Sequence, residues 1–353
     1  MAPAMRLGIL TGGGDCPGLN AVIRAVVMTA RGDYGDTVIG FQDGWRGVLE
    51  RNAQEITLPA VRNILAQGGT ILGTSRTNPF AEEGGPDRVR RSLAAEGIDA
   101  LIAIGGDDTL GVALKLSEMG VAVLGVPKTI DNDLSGTDVT FGFHTAVQIA
   151  TDAIDRLKTT AESHHRVMVC EVMGRHAGWI ATYAGIASGV ADILVPEAPF
   201  DVDEVCERLK QRHDEGLYSS ILVVAEGALP AADRKAERPE VLAHGGARDA
   251  FGNLRLGGIG SWLAEEIEKK TGFEARVTIL GHVQRGGTPT AFDRVLATRF
   301  GIAAVNAVHD GAIGRMVALQ GPKIVTVPLA EGAGKKKYLD MSFYDEVARP
   351  LLD

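Results

Sequence analysis

Short apolar runs that end in Gly, Asp or Glu recur along this chain, and segments with helical periodicity separate them. The candidate strands are Arg6–Thr11, Ala100–Ile104, Ala122–Val126, Val167–Val172, Ile193–Val195, Ser220–Ala225 and Val277–Leu280. Most are too uniformly apolar to alternate, which predicts strands buried on both faces and therefore parallel sheets covered by helices. Helices are expected over Leu19–Ala30, Asp87–Glu96, Thr109–Met119, Thr145–Ala161, Val202–Asp214 and Ser261–Thr271, each flanked by Gly, Asp, Ser or Pro. The fold class is thus α/β. At 353 residues the chain exceeds what one core usually organises, so two Rossmann-like three-layer lobes with mostly parallel sheets and a cleft between them are expected. The segment Leu229–Arg255, mixed in charge and carrying Pro and Gly, reads as an irregular excursion.

Charge and cysteine usage narrow the partners. Lys and Arg number 36 against 45 Asp and Glu, a formal charge of −9, so no net positive field attracts a nucleic acid backbone. Cys16, Cys170 and Cys206 are widely spaced, with no CxxC pair. That pattern argues against a disulfide framework or a zinc site, and the expected compartment is the reducing cytoplasm. No apolar stretch reaches the roughly 18 residues of a membrane span, and Met1–Met5 carries no export signal, so no membrane partner is expected.

In parallel sheets ligands gather beyond the carboxyl ends of the strands. The residues in those places are polar. Gly12-Gly13-Gly14-Asp15 follows the first strand and precedes a helix, so its amides are candidates for a phosphate; a plain strand-to-helix turn would look the same. Gly105-Gly106-Asp107-Asp108 offers two adjacent carboxylates of the kind that hold magnesium together with substrate phosphates, although acids at a helix N-terminus also favour its dipole. Lys128-Thr129-Ile130-Asp131-Asn132-Asp133 places two carboxylates beyond a strand, one able to accept a hydroxyl proton and the other able to lie near metal. Lys128 would lend a cation to phosphate oxygens or stand as a solvated loop lysine.

Cations gather further along as Arg166, Arg175, Arg276 and Arg285, with His176 and His282, as a doubly anionic sugar phosphate would require. Each alone reads as readily as a surface ion pair or a structural histidine. Arg76 follows the glycine-rich stretch 68–75 and is a further candidate. Nothing near the three cysteines assigns them catalysis.

Taken together the motifs resemble the phosphofructokinase family. GGGDCPGLNAVIRAVV at 12–27, GGTILGTSR at 68–76, GGDDTLG at 105–111, PKTIDND at 127–133, SHHRVMVCEVMGRHAG at 163–178 and GHVQRGG at 281–287 occur in the family's order over roughly residues 5–300. The match is most similar to the actinobacterial-type branch, which holds both ATP-using and pyrophosphate-using members. The resemblance implies magnesium-dependent phosphoryl transfer to the 1-hydroxyl of fructose 6-phosphate, with Asp131 as the base and Asp107, supported by Asp133, on the metal. It implies Gly13 and Gly14 at the donor phosphates and Arg76 at the transferred group. Thr129, Ile130, Met173, Gly174, Arg175, Glu226, His282, Val283, Gln284 and Arg285 would line the sugar phosphate's pocket. Arg166 and Arg276 would reach that pocket from a neighbouring subunit, which implies a homo-oligomer, dimer or tetramer, with shared active sites. It also implies a donor lobe of residues 1–142 plus about 284–334 and a fructose 6-phosphate lobe of 143–283 plus about 335–353.

The donor follows from two departures. ATP users of the family commonly have glycine where Asp108 and Lys128 stand, whereas here both positions are charged. A carboxylate at Asp108 would oppose a nucleotide α-phosphate and Lys128 would stabilise a phosphate leaving group, so pyrophosphate is the expected donor and ATP the alternative. Lysine at the second position also occurs in ATP users of this branch, which leaves Asp108 with most of the inference. A catalytically silent phosphate-sensing module is a further alternative, opposed by the intact Asp107, Asp131 and Arg175. Met28 stands where allosteric bacterial members tend to carry an arginine, while Arg24 is retained.

Overall fold

The computed structural model describes residues 3–231 and 257–352, so most of the excursion expected over Leu229–Arg255 lies outside the described residues. The described chain forms two compact units, one of residues 1–145 with 285–336 and the other of 146–284 with 337–353. Its strands in chain order are β1 (Arg6–Thr11), β2 (Thr37–Phe41), β3 (Ala53–Glu55), β4 (Ala100–Gly105), β5 (Val123–Thr129), β6 (Phe141–Gly142), β7 (Val167–Val172), β8 (Asp192–Leu194), β9 (Ser220–Ala225), β10 (Ala275–Ile279), β11 (Arg315–Gln320) and β12 (Lys323–Pro328).

In the first unit the sheet runs β12-β11-β5-β4-β1-β2-β3, with β6 beside β5. Its centre is parallel, and antiparallel pairs close both edges, β2 with β3 and β11 with β12. The apolar runs of β1 and β4 are buried, as a sheet covered on both faces demands. Register then decides where chemistry collects. Thr11 lies opposite Ile104, and Ile104 opposite Val126, so the glycines after β1 and β4 end level with Lys128 at the end of β5. From β1 the chain builds β2 on one side and β4 on the other, which makes the β1–β4 boundary the switch point where such sheets bind ligands.

Three local differences from expectation matter here. β5 continues to Thr129, so Lys128 is a buried strand residue and not a solvated loop lysine. The helix expected from Thr109 is Asp107–Glu118, which puts both acids into its first turn. The first helix starts at Leu19, as expected, with Gly18 at φ 111° before it, so the glycine run 12–14 precedes that helix without opening it.

The second unit carries an all-parallel sheet in the order β10-β7-β9-β8. β7 and β9 are buried along their whole length, and the helices Val202–Asp214 and Ile259–Thr271 cover one face with Val205, Leu209, Leu263 and Ile267. β9 lies on one side of β7 and β10 on the other, so this sheet also has a switch point, beyond Val172 and Ile279. No helix among the described residues is long and apolar enough to cross a membrane. All three cysteines are free and buried, and burial raises the thiols of Cys16 and Cys170 to about 12, which leaves them inert as nucleophiles.

Candidate active site

At the switch point of the first unit the two glycine turns close on Thr109. A Cβ on Gly105 would lie 2.3 Å from Thr109 Cβ, and one on Gly12 would lie 2.6 Å from its Oγ1, so only glycine lets the first turn of the helix Asp107–Glu118 approach both strands. Gly12 N–H donates to Ile104 O at 2.9 Å and Gly13 N–H to Ser75 O at 3.3 Å. The amides of Gly12 and Gly13 are therefore committed within the protein, contrary to a phosphate cradle made of the whole glycine run. Thr74 Oγ1 donates to Gly13 O at 2.6 Å and fixes the same loop.

Two cations stand beside the same loop. Lys128 Nζ donates to the carbonyl of Gly14, and the Arg285 guanidinium occupies the place a Cβ of Gly14 would take. Lys128 is only 4% exposed. Burial pushes its pKa down, Arg285 adds to that, and Cys16, Asp15 and Asp131 oppose it. Arg285, expected with the sugar phosphate residues, thus stands with the glycine loop. Arg76 is exposed on its loop.

The acidic loop after β5 is held by its own side chains. Asp131 N–H donates to Thr129 Oγ1 at 3.1 Å, and Asn132 stands in the left-handed region at φ 52°. Asn132 Oδ1 accepts the Thr140 N–H at 3.1 Å, while Thr140 Oγ1 donates to Thr129 O at 2.8 Å. This turn puts Asp131 and Asp133 on either side of a fixed residue. Ile130, also expected at the pocket, is buried.

The sequence did not single out Lys336. Its Nζ lies 2.7 Å from Asp107 Oδ2 and 2.9 Å from Asp133 Oδ2. Only its place in the run Lys335-Lys336-Lys337 is visible in the sequence, and such a run reads as solvated surface. The ion pairs show that the carboxylates of Asp107 and Asp133 converge on one cation. No group of three or more His, Cys, Asp or Glu side chains gathers for a metal among the described residues. Two carboxylates without further side-chain ligands suit magnesium, which takes one or two and fills its remaining positions with water and substrate phosphates.

In the second unit the polar residues follow β7, β9 and β10. Glu226 N–H donates to Val172 O at 2.8 Å and Gly227 N–H to Gly174 O at 3.1 Å, which brings Met173, Gly174, Arg175 and Glu226 together. Gln284, expected to line the pocket, is wholly buried, and its Oε1 accepts Met173 N–H at 2.8 Å. That bond holds the β7 turn. His282 is exposed, and Val283 is 62% exposed.

Arg166 and Arg276 are not brought to that end. Arg166 precedes β7 and Arg276 is the second residue of the parallel β10, so both lie at the amino ends of the strands. Seven rises of about 3.3 Å each along β7 set Arg166 roughly 23 Å from Met173. Glu274 lies 2.8 Å from Arg166 and also pairs with Arg276, which reaches Glu268 at 3.0 Å.

The chain is similar to known proteins over nearly its whole length. A family profile described as Phosphofructokinase matches residues 6–308. The pyrophosphate--fructose 6-phosphate 1-phosphotransferase of Amycolatopsis methanolica is 59% identical over 342 residues, covering 97% of this chain and 98% of the relative. The ATP-dependent 6-phosphofructokinase of Mycobacterium bovis is 54% identical over 345 residues, covering 98% of this chain and 99% of the relative. Among solved structures, Pichia pastoris phosphofructokinase in the T-state superposes with a TM-score of 0.82 at 31% identity. The alignment covers 99% of this chain and 37% of the yeast chain, so this chain spans little more than a third of that protein's length.

Proposed function

The chain belongs to the phosphofructokinase family, and we propose that it transfers a phosphoryl group reversibly from pyrophosphate to the 1-hydroxyl of fructose 6-phosphate. The products are fructose 1,6-bisphosphate and phosphate. Asp131 accepts the hydroxyl proton as the sugar oxygen bonds to the transferred phosphorus and the bond to the leaving phosphate breaks. Lys128 and Arg285, beside Gly14, and Arg76 offset charge on the donor. Magnesium would be held by Asp107 with support from Asp133, and when bound it neutralises donor oxygens. Met173, Gly174, Arg175, Glu226 and His282 receive the sugar phosphate.

The observation that carries the donor choice is the position of Asp108. It is the second residue of a helix that starts level with Lys128, at the switch point of the sheet. A carboxylate there opposes an α-phosphate, while pyrophosphate has no such group to place. The relative named for pyrophosphate at 59% identity supports this reading, and the ATP-dependent relative at 54% makes ATP the rival donor. Initial rates of fructose 1,6-bisphosphate formation with magnesium and either pyrophosphate or ATP decide between them. Activity with pyrophosphate alone is expected. Activity with ATP alone would overturn the donor and leave the acceptor chemistry standing.

Arg166 and Arg276, remote from Met173 within one chain, complete the pocket of a neighbouring copy in a cytoplasmic homo-oligomer, a dimer or tetramer.

A further inference from the structure

Lys336 is delivered to the acidic loop by its main chain. Its backbone forms an antiparallel bridge with Leu134, the residue after Asp133, and Ser135 N–H donates to Lys335 O at 3.4 Å. The side chain therefore arrives at Asp107 and Asp133 by strand-like pairing and not as a long surface chain that happened to fold over. It is 24% exposed, and Asp133, its partner, is 9% exposed.

An ammonium within hydrogen-bond distance of both carboxylates takes the place a divalent cation would need. Two cations in that space repel each other, and each carboxylate oxygen given to Lys336 is withheld from the metal. We propose that Lys336 is a displaceable positioning residue, which holds Asp107 and Asp133 together before the metal binds and leaves them when it enters. The proposal rests on the assignment of Asp107 and Asp133 to magnesium. It makes metal binding a competition with an internal cation, so the free protein takes up metal less tightly than its carboxylates alone would allow. The incoming donor, bringing its own negative charge, offers the released ammonium a new partner.

The test uses the full chain with Mn2+ as probe, its free concentration read by electron paramagnetic resonance in the absence of substrates. Lys336→Met should bind Mn2+ roughly tenfold more tightly than the unaltered protein, because a unit charge has been removed from beside the site. Lys336→Arg, which keeps the charge, should stay within about twofold. Unchanged or weaker binding in Lys336→Met overturns the proposal. A second measurement needs no variant: acetylation of the Lys336 amine, followed by mass spectrometry, should speed up when Mn2+ saturates the unaltered protein. A rate that stays constant or falls also overturns it. Asp107→Asn separates the two levels of the argument. Weakened Mn2+ binding in Asp107→Asn together with no gain in Lys336→Met removes the role of Lys336 alone, whereas unweakened binding in Asp107→Asn removes the metal assignment itself.

Discussion

Asn132 accepts the backbone N–H of Thr140 at 3.1 Å while it stands at φ 52° between the two carboxylates of the acidic loop. Asparagine tolerates this region better than most side chains, and the bond to Thr140 fixes the direction in which Asp131 and Asp133 leave the turn. Asn132→Ala loses both features and should destabilise the protein by about 1–3 kcal/mol, with a parallel fall in turnover. Asn132→Gly keeps the backbone freedom and should melt closer to the unaltered protein. Thermal melts of both variants beside their kcat values check this, and an alanine variant that matches the original in both would sink it.

Lys128 is held near Gly14 in a buried place that disfavours its charge, with Arg285 adding to the effect. Removing the cation in Lys128→Met should lower the pyrophosphate-dependent rate by roughly 10²–10³, as loss of one donor to a developing anion does elsewhere. The sign of the pH effect follows from the lowered pKa. Between that value and the 10.5 of an ordinary lysine, the unfolded chain binds more protons than the folded one, so this residue's contribution to stability rises with pH across that window. Activity should move the other way, declining on the alkaline side before an ordinary lysine would titrate. Lys128→Arg should shift that limb upward, and an identical alkaline limb in both proteins would exclude Lys128 as its source.

The buried strands were legible because an apolar run such as Leu7-Gly8-Ile9-Leu10 needs no partner sequence to be recognised, and β1, β7 and β9 begin and end where the runs do. Edge strands were not. In the first sheet the edges are β3, three residues long with none buried, and β12, which carries a buried residue only at Val327 and so has the pattern of a surface loop; β2 and β11 beside them are mostly buried and were missed as well. The helix Ala291–His309 was missed because its buried stripe includes Asp293, Gly301 and several alanines while Phe292, Val295 and Ile302 stand exposed, so apolar residues do not mark one face. At the site, spacing brought Asp107, Lys128, Asp131 and Asp133 forward from the sequence. Lys336 was not visible there, because only the pairing of its backbone with Leu134, some 200 residues earlier, gives it meaning. Gln284 and Ile130 show the converse, polar or neighbouring residues of a motif whose side chains the fold turns inward.

Asp108 is the second residue of the helix Asp107–Glu118, and its own N–H donates to Asp107 Oδ1 at 2.9 Å. Replacing it in Asp108→Gly removes a charge and a side chain from the donor side while leaving Asp107 in place. We expect measurable ATP-dependent formation of fructose 1,6-bisphosphate in this variant, stronger when Lys128 is replaced by glycine as well, and a reduced rate with pyrophosphate. ATP rates that remain at background in both variants would remove charge and bulk at Asp108 as the basis of donor choice.

The distance between Arg166 and Met173 along β7 makes the strongest demand on quaternary structure, because one chain does not bring the two to the same end of the sheet. Asp131→Ser should lower turnover by roughly 10³ or more, as removal of a proton acceptor does, and Arg166→Ala should weaken use of fructose 6-phosphate. Each variant is then crippled for a different reason. If a neighbouring copy supplies Arg166, a hybrid of the two variants pairs an intact Asp131 from one chain with an intact Arg166 from the other. In a symmetric dimer with random exchange, half of the molecules are hybrids and each has one intact site, so about a quarter of the original activity should return on mixing. Mixing after dissociation and reassembly, followed by rate measurement, reads this directly. Activity that stays at the sum of the two separate variants would place Arg166 outside a shared site and leave its pair with Glu274 as a structural contact alone.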